Sequence, residues 1–206
     1  MSSSAVPGAA GYGESAAVLA VRYESITFAE VYRDLLHLLP EAPVAVLDIG
    51  AGTGRDAAEL ARRGHRVVAV EPTAALRSAA LQLHDAVPIL WLDDHLPALA
   101  KVRRLKPRFS LILLTAVWMH LDRIERLAAM EAVAELTAPG GQVFMSLRHG
   151  PIPEDRRMFD VSAVETIRLA TRFDLHCDCQ VERADMLGRP NVTWSFLALR
   201  KQGAFE

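Results

Sequence analysis

Apolar positions in this chain follow two patterns, unbroken short runs and stretches spaced by three and four, and the two alternate. Val44, Val46, Leu47 and Ile49 form the near-continuous run expected of a strand covered on both faces. Residues 66–70, 88–92, 109–115 and 143–147 repeat that signature. Between them, residues 56–63, 73–84 and 122–138 carry helical spacing, the first closed by Gly64 and the second opened by Thr73 as a capping residue. In the longest stretch, Ile124, Leu127, Val133 and Leu136 are expected inside, with Arg123, Glu125, Arg126 and Glu131 outside. Pro139-Gly140-Gly141 then stops the helix. Five such alternations predict a parallel sheet with right-handed crossovers.

The two ends read differently. Residues 1–14, rich in Ser, Ala and Gly without periodicity, are expected to form a mobile arm. Residues 15–21 and 27–39 carry helical spacing, with Phe28, Val31, Leu35 and Leu38 on one stripe, before Pro40 and Pro43 break the pattern. Past a helix over 162–173, residues 175–183 and 192–200 read as strands paired about the turn Leu187-Gly188-Arg189-Pro190. The expected organisation is an N-terminal arm and helical lid over 1–39 and one domain over 40–206.

Composition narrows the class. The chain has 206 residues, 51% of them hydrophobic, enough for one sizeable core. A formal net charge of −2 argues against a nucleic-acid partner, which draws on a clustered basic surface. Without an apolar run long enough to span a bilayer, or a signal-peptide pattern at the start, no membrane role is expected and the location is expected to be cytoplasmic. The two cysteines, Cys177 and Cys179, are expected on one face of a strand as reduced thiols, and no metal site is anticipated.

The candidate chemistry sits in residues 44–72. The first strand runs into Gly50, Gly52 and Gly54 at every second position, and the strand after the next helix ends on Glu71. Glycine admits backbone angles closed to other residues and lets a ligand lie against the main chain. An acid at the carboxyl end of the second strand can accept hydrogen bonds from ribose hydroxyls. Glu71 follows Asp48 by a little over 20 positions, near the spacing of dinucleotide-binding units. A dinucleotide fingerprint, however, needs its last small residue where Arg55 stands, so a nicotinamide site is disfavoured.

The turn reads D-x-G-x-G-x-G from Asp48 to Gly54, which resembles motif I of the class I S-adenosylmethionine-dependent methyltransferases. Glu71 resembles their acid after the second strand, and Asp93, with Asp94 as the alternative, resembles their acid near the adenine. Residues 109–115 with Ala116 to Asp122 resemble the fourth-strand motif, although Ser110 stands where an acid is often found. The Pro139-Gly140-Gly141 turn resembles the lead into their fifth strand. The resemblance covers about residues 40–201. It implies a Rossmann-like, doubly wound, mostly parallel seven-stranded sheet with a C-terminal antiparallel strand pair, and S-adenosyl-L-methionine as cofactor. Tyr23, Asp48, Gly50, Ala51, Gly52, Gly54, Arg55, Asp56, Glu71, Pro72, Leu76, Asp93, Asp94, Thr115 and Ala116 are the implied cofactor residues, and Tyr12 and Tyr23 candidate lid residues.

S-adenosylmethionine brings an activated methyl group, so positioning carries most of the chemistry and a general base adds to it. His149 is the first candidate base, then His120, with Arg148 as an anion clamp. The segment Thr115-Ala116-Val117-Trp118 lacks the Asn/Asp-Pro-Pro-aromatic motif of DNA and glutamine amino-methylating enzymes, and neither cysteine follows a proline as a cytosine-C5 nucleophile would. A small-molecule oxygen or nitrogen acceptor is therefore expected. A protein or RNA acceptor, or a non-catalytic cofactor-binding role, is the alternative.

Overall fold

A computed structural model describes residues 6–9, 11–154 and 156–203. Seven strands, β1 (Ala45–Ile49), β2 (Arg66–Val70), β3 (Ile89–Leu92), β4 (Phe109–Thr115), β5 (Thr137–His149), β6 (Leu175–Ala184) and β7 (Thr193–Lys201), form one sheet in the order β3-β2-β1-β4-β5-β7-β6. The first five run parallel, and β7 inserts antiparallel between β5 and β6. The helices are α1 (Ala16–Glu24), α2 (Phe28–Tyr32), α3 (Arg55–Arg62), α4 (Ala74–Leu83), α5 (Ala100–Arg104), α6 (Arg123–Leu136) and α7 (Ala163–Thr171).

Strand alternation divides the interior into two layers. Leu47, Ile112, Leu114, Val143 and Met145 face one side, against Met130 and Val133 of α6. Val46, Val67, Leu111, Leu113 and Phe144 face the other, against Leu60 of α3 and Phe28, Val31 and Tyr32 of α2. Each central strand therefore feeds both cores, which is why its sequence is an unbroken apolar run.

α2 is fixed at its start by a capping box between Thr27 and Glu30. It is held to the far edge of the sheet by Arg183 of β6, whose guanidinium donates to the Glu30 carbonyl at 3.1 Å and lies 3.8 Å from the centroid of Phe196. Residues 28–35 thus belong to the packed body, whereas α1 sits against α4. Of the segment expected to be a mobile arm, residues 1–5 and 10 lie outside the described residues, and Pro7–Ala9 form a 3-10 turn.

Four local expectations are corrected. β5 begins at Thr137, not Val143: Thr137 pairs with Phe109 and the register slips before Leu111 meets Gln142, so Pro139-Gly140-Gly141 is an irregularity inside the strand. Ile124 and Leu127 of α6 are 82% and 40% exposed, because this helix buries residues only from Ala129 onward. Its first turn is held instead by the Asp122–Glu125 capping box and by Arg157, which bonds both carboxylates. Cys177 and Cys179 face opposite layers, since a bulge at their position pairs Cys177 with Leu199 and Cys179 with Ala198. The Thr73 side chain makes no capping bond, and its N–H donates to Glu71 Oε1 at 2.8 Å.

Candidate active site

The carboxyl ends of β1, β2 and β4 open into one cleft of about 230 Å³. Parallel packing delivers residues distant in sequence to this edge: the 50–53 turn after β1, Glu71 to Thr73 after β2, and Thr115 to Val117 with His120 and Leu121 after β4. Val6, Gly8, Ala9, Tyr12 and Tyr23 line it from the N-terminal side. Met186, Leu187, Trp194 and Phe196 line it from the β6–β7 hairpin.

The three glycines of the turn have different duties. A Cβ on Gly52 would stand 3.6 Å from the Tyr23 ring, ordinary contact distance, so Gly52 keeps the main chain open beneath Tyr23. A Cβ on Gly50 would fall 2.5 Å from Val117 Cγ2, and one on Gly54 2.9 Å from the Trp91 ring. All three have positive φ, and Gly54 does not line the cleft. Gly50 and Gly52 both line the cleft, Gly50 also held close to Val117, whereas Gly54 is tied to packing.

Carboxyl groups collect under this turn. Glu71 is buried, its Oε2 accepting from the Gly52 N–H at 3.0 Å and its Oε1 from the Thr73 N–H. Burial raises its carboxyl pKa, and these N–H donors oppose the rise. Asp48 is 1% exposed and its Oδ2 has no partner. Burial first, then neighbouring Asp56, holds its pKa well above the usual carboxylate range. Asp56 is already engaged: Arg55 Nε donates to its Oδ1 at 2.6 Å, and Thr115 Oγ1 to its Oδ2 at 3.0 Å. The Tyr32 hydroxyl contacts the same Thr115 oxygen. Arg55 also donates to the Tyr23 carbonyl at 3.1 Å, linking the turn to the end of α1.

Past β4, Ala116 takes a left-handed φ of +58°, uncommon for a residue with a side chain, and its N–H donates to Ser146 Oγ at 2.8 Å. This conformation bends the chain so that His120, on a 3-10 turn, faces the cleft. His120 Nδ1 lies 2.8 Å from the Arg157 carbonyl, which can only accept, so the ring proton is on Nδ1. Nε2 is then the acceptor for the Tyr12 hydroxyl at 3.0 Å. Burial lowers the His120 pKa; the Arg157 carbonyl opposes this and the charges of Arg156 and Arg157 reinforce it.

The expected site residues do not all converge. Tyr23, Asp48, Gly50, Ala51, Gly52, Arg55, Asp56, Glu71, Pro72, Leu76, Thr115, Ala116 and His120 line the cleft. His149 does not: its Nε2 is bonded to Ser195 Oγ at 2.7 Å on the neighbouring strand. Arg148 does not line it either, pointing Nη1 toward the Gly150 carbonyl at 3.5 Å. Asp93 is drawn outward into ion pairs with Arg77 at 3.3 Å and Lys101 at 3.9 Å. Asp94 is consumed at the start of α5, its Oδ2 accepting from the Lys101 and Val102 N–H groups at 2.7 and 3.0 Å. Sequence reasoning missed His95, Ser146, Trp194 and Phe196. The last three share one sheet face because Ser146 pairs with Phe196 and Arg148 with Trp194, a register no local pattern states.

Comparison with known proteins places this geometry. Residues 23–180 match the family model described as Methyltransferase domain. No curated protein matches the chain. Among solved structures, the 1,6-didemethyltoxoflavin-N1-methyltransferase of Burkholderia thailandensis, bound to 1,6-didemethyltoxoflavin and S-adenosylhomocysteine, is 19% identical with a TM-score of 0.61 over 98% of this chain and 93% of its own. The magnesium protoporphyrin IX methyltransferase of Synechocystis, with S-adenosylmethionine bound, is 12% identical with a TM-score of 0.67 over 98% and 87%. The N-methyltransferase NodS of Bradyrhizobium japonicum is 19% identical with a TM-score of 0.64 over 84% and 95%. At these identities the likeness is one of fold.

Proposed function

The chain belongs to the methyltransferase domain family, and from that premise we propose that it transfers a methyl group from S-adenosylmethionine to an oxygen or nitrogen of a small molecule. The observation that carries this reading is Glu71, buried at the end of β2 with one oxygen bonded to the Gly52 N–H and the other to the Thr73 N–H. The acid and the open turn are locked together in one ligand cradle.

The cleft suits this cofactor chemically. Asp48 offers a buried carboxyl oxygen without a hydrogen-bond partner, and a cationic ligand there would favour its ionised form. Gly52 leaves the main chain uncovered. The cofactor supplies a methyl group on a sulfonium, so no protein nucleophile is required. The protein's part is to bind, orient and exclude water. Asp48 and Glu71 supply negative charge once ionised, Tyr23 covers Gly52, and residues 6–9 and 11–24 act as a lid. His120 takes the base role in place of His149, because its Nε2 presents a lone pair at the cleft while Nδ1 is held by the Arg157 carbonyl.

The small-molecule assignment is supported by the largely apolar surroundings of Val6, Ala9, Met186, Leu187 and Trp194, and by the compounds after which two fold relatives are named, 1,6-didemethyltoxoflavin and magnesium protoporphyrin IX. Calorimetry tests the cofactor: S-adenosylmethionine and S-adenosylhomocysteine should bind and NAD should not. Equal binding of NAD, or none of S-adenosylhomocysteine, rejects the reading.

A further inference from the structure

Tyr12 is a phenol placed in a phenol-shaped site made by its own chain. Its hydroxyl donates to His120 Nε2 at 3.0 Å. The Tyr12 ring stands edge-on to the imidazole, with centroids 5.6 Å apart and planes at 81°. Arg156 lies over the ring face, its guanidinium carbon 4.2 Å from the centroid. These contacts would recognise any aromatic hydroxyl: an oriented acceptor for the O–H, an edge contact for the ring, and a cation over the π face. An aliphatic alcohol or an aliphatic amine would satisfy only the first.

The element carrying this phenol is short and local. Tyr12 sits in a turn between the Pro7–Ala9 3-10 turn and α1, and Gly8 on the same segment brings its Cα close enough to His120 that a Cβ there would lie 3.2 Å from the His120 Cβ. The ring also packs on the small cluster of Ala16, Leu19 and Leu76. Tyr12 therefore stands between that cluster and His120, whose Nε2 takes its hydroxyl.

Resting on the methyltransferase reading above, we propose that the acceptor is a phenol and that Tyr12 holds its place in the free enzyme. An incoming aromatic hydroxyl would exchange for the Tyr12 hydroxyl on His120 Nε2 and take its ring position under Arg156. Attack by the phenol oxygen would then form the new O–CH3 bond as the S–CH3 bond breaks, with the phenolic proton passing to Nε2.

Removing the placeholder tests this without turnover. In Tyr12→Ala, p-cresol should bind at least about tenfold tighter than in the wild type, the scale of one regained hydrogen bond with its ring contact. 4-Methylanisole, which cannot donate, should gain nothing. Adding His120→Ala or Arg156→Met to Tyr12→Ala should reverse the gain. Tyr12→Ser provides a second truncation if the alanine variant does not fold. S-adenosylhomocysteine affinity, followed in every variant, reports separately on the cofactor reading. Equal p-cresol affinity in wild type and both truncations, or a 4-methylanisole gain matching that of p-cresol, overturns the proposal. Loss of S-adenosylhomocysteine binding with the p-cresol gain intact would leave the phenol site supported and reject the methyl donor instead.

Discussion

The Tyr12 hydroxyl lies 3.0 Å from His120 Nε2, joining residues 108 positions apart across the cleft. With Nδ1 donating to the Arg157 carbonyl, a neutral ring accepts the Tyr12 hydroxyl on Nε2. Burial first, then the charges of Arg156 and Arg157, lower the His120 pKa, which favours the neutral ring; it gains a proton as pH falls through that depressed value. The acid limb of kcat/KM should therefore lie on the acid side of an ordinary histidine's. His120→Ala should lower kcat by about 10²-fold or more while cofactor affinity stays within about threefold. Near-normal kcat in that variant would return His120 to a structural part.

His149 should behave oppositely. Its Nε2 is occupied by Ser195 Oγ at 2.7 Å between β5 and β7, away from the cleft lining. His149→Ala is expected to keep kcat within about threefold and lower stability by about 1 kcal/mol, one side-chain hydrogen bond. Parallel thermal melts and rate measurements distinguish the two; a kcat loss of about 10²-fold without a melting shift would restore it as the base.

Gly52→Val should abolish cofactor binding, since a branched side chain at φ +57° would project beneath Tyr23. Glu71→Ala should weaken binding by about 1.5 to 3 kcal/mol, the range for hydrogen bonds to a charged group. Asp48 and Glu71 both have raised carboxyl pKa values and must be ionised to attract a cationic ligand. S-adenosylmethionine affinity should accordingly climb as pH rises above the ordinary carboxylate range near about 4. Calorimetry across pH shows the sign, and an affinity that falls with rising pH contradicts the charge assignment.

Gly54→Ala separates packing from binding within the same turn. Its Cβ would come within 2.9 Å of the Trp91 ring from a backbone at φ +86°. A destabilisation of about 1 to 3 kcal/mol is expected, with cofactor affinity of the folded fraction little changed. Denaturant titration followed by tryptophan fluorescence gives the first quantity. A folded variant that has lost the cofactor would place Gly54 in the binding surface.

The segment from Val6 to Glu24 should resist protease when S-adenosylhomocysteine and a methylated product are bound. It covers the cleft through Tyr12 and Tyr23 and is joined to the body by Tyr12 to His120, Thr53 Oγ1 to Glu24 at 2.7 Å and Arg55 to the Tyr23 carbonyl, contacts at the cleft itself that bound ligands would reinforce. Equal cutting rates with and without ligands would remove the lid.

Sequence alone determined the strand–helix alternation, because burial of β1, β2 and β4 on both faces demands near-continuous apolar runs. It also marked the glycine turn and Glu71, whose chemistry is local: positive φ within a few residues, and an acid at a strand end. Tertiary structure decided what local pattern could not. Asp93 and Asp94 are equivalent as text, but the fold spends one on surface ion pairs and the other on the start of α5. His149 and His120 both follow buried strands, but the register of β7 gives His149 a serine partner, whereas the left-handed Ala116 turns His120 into the cleft. Trp194, Phe196 and Tyr12 reach the site only because antiparallel pairing and the returning N-terminal segment bring distant chain to one sheet edge. Spacing along a chain encodes backbone geometry within an element, while convergence depends on which elements end up neighbours.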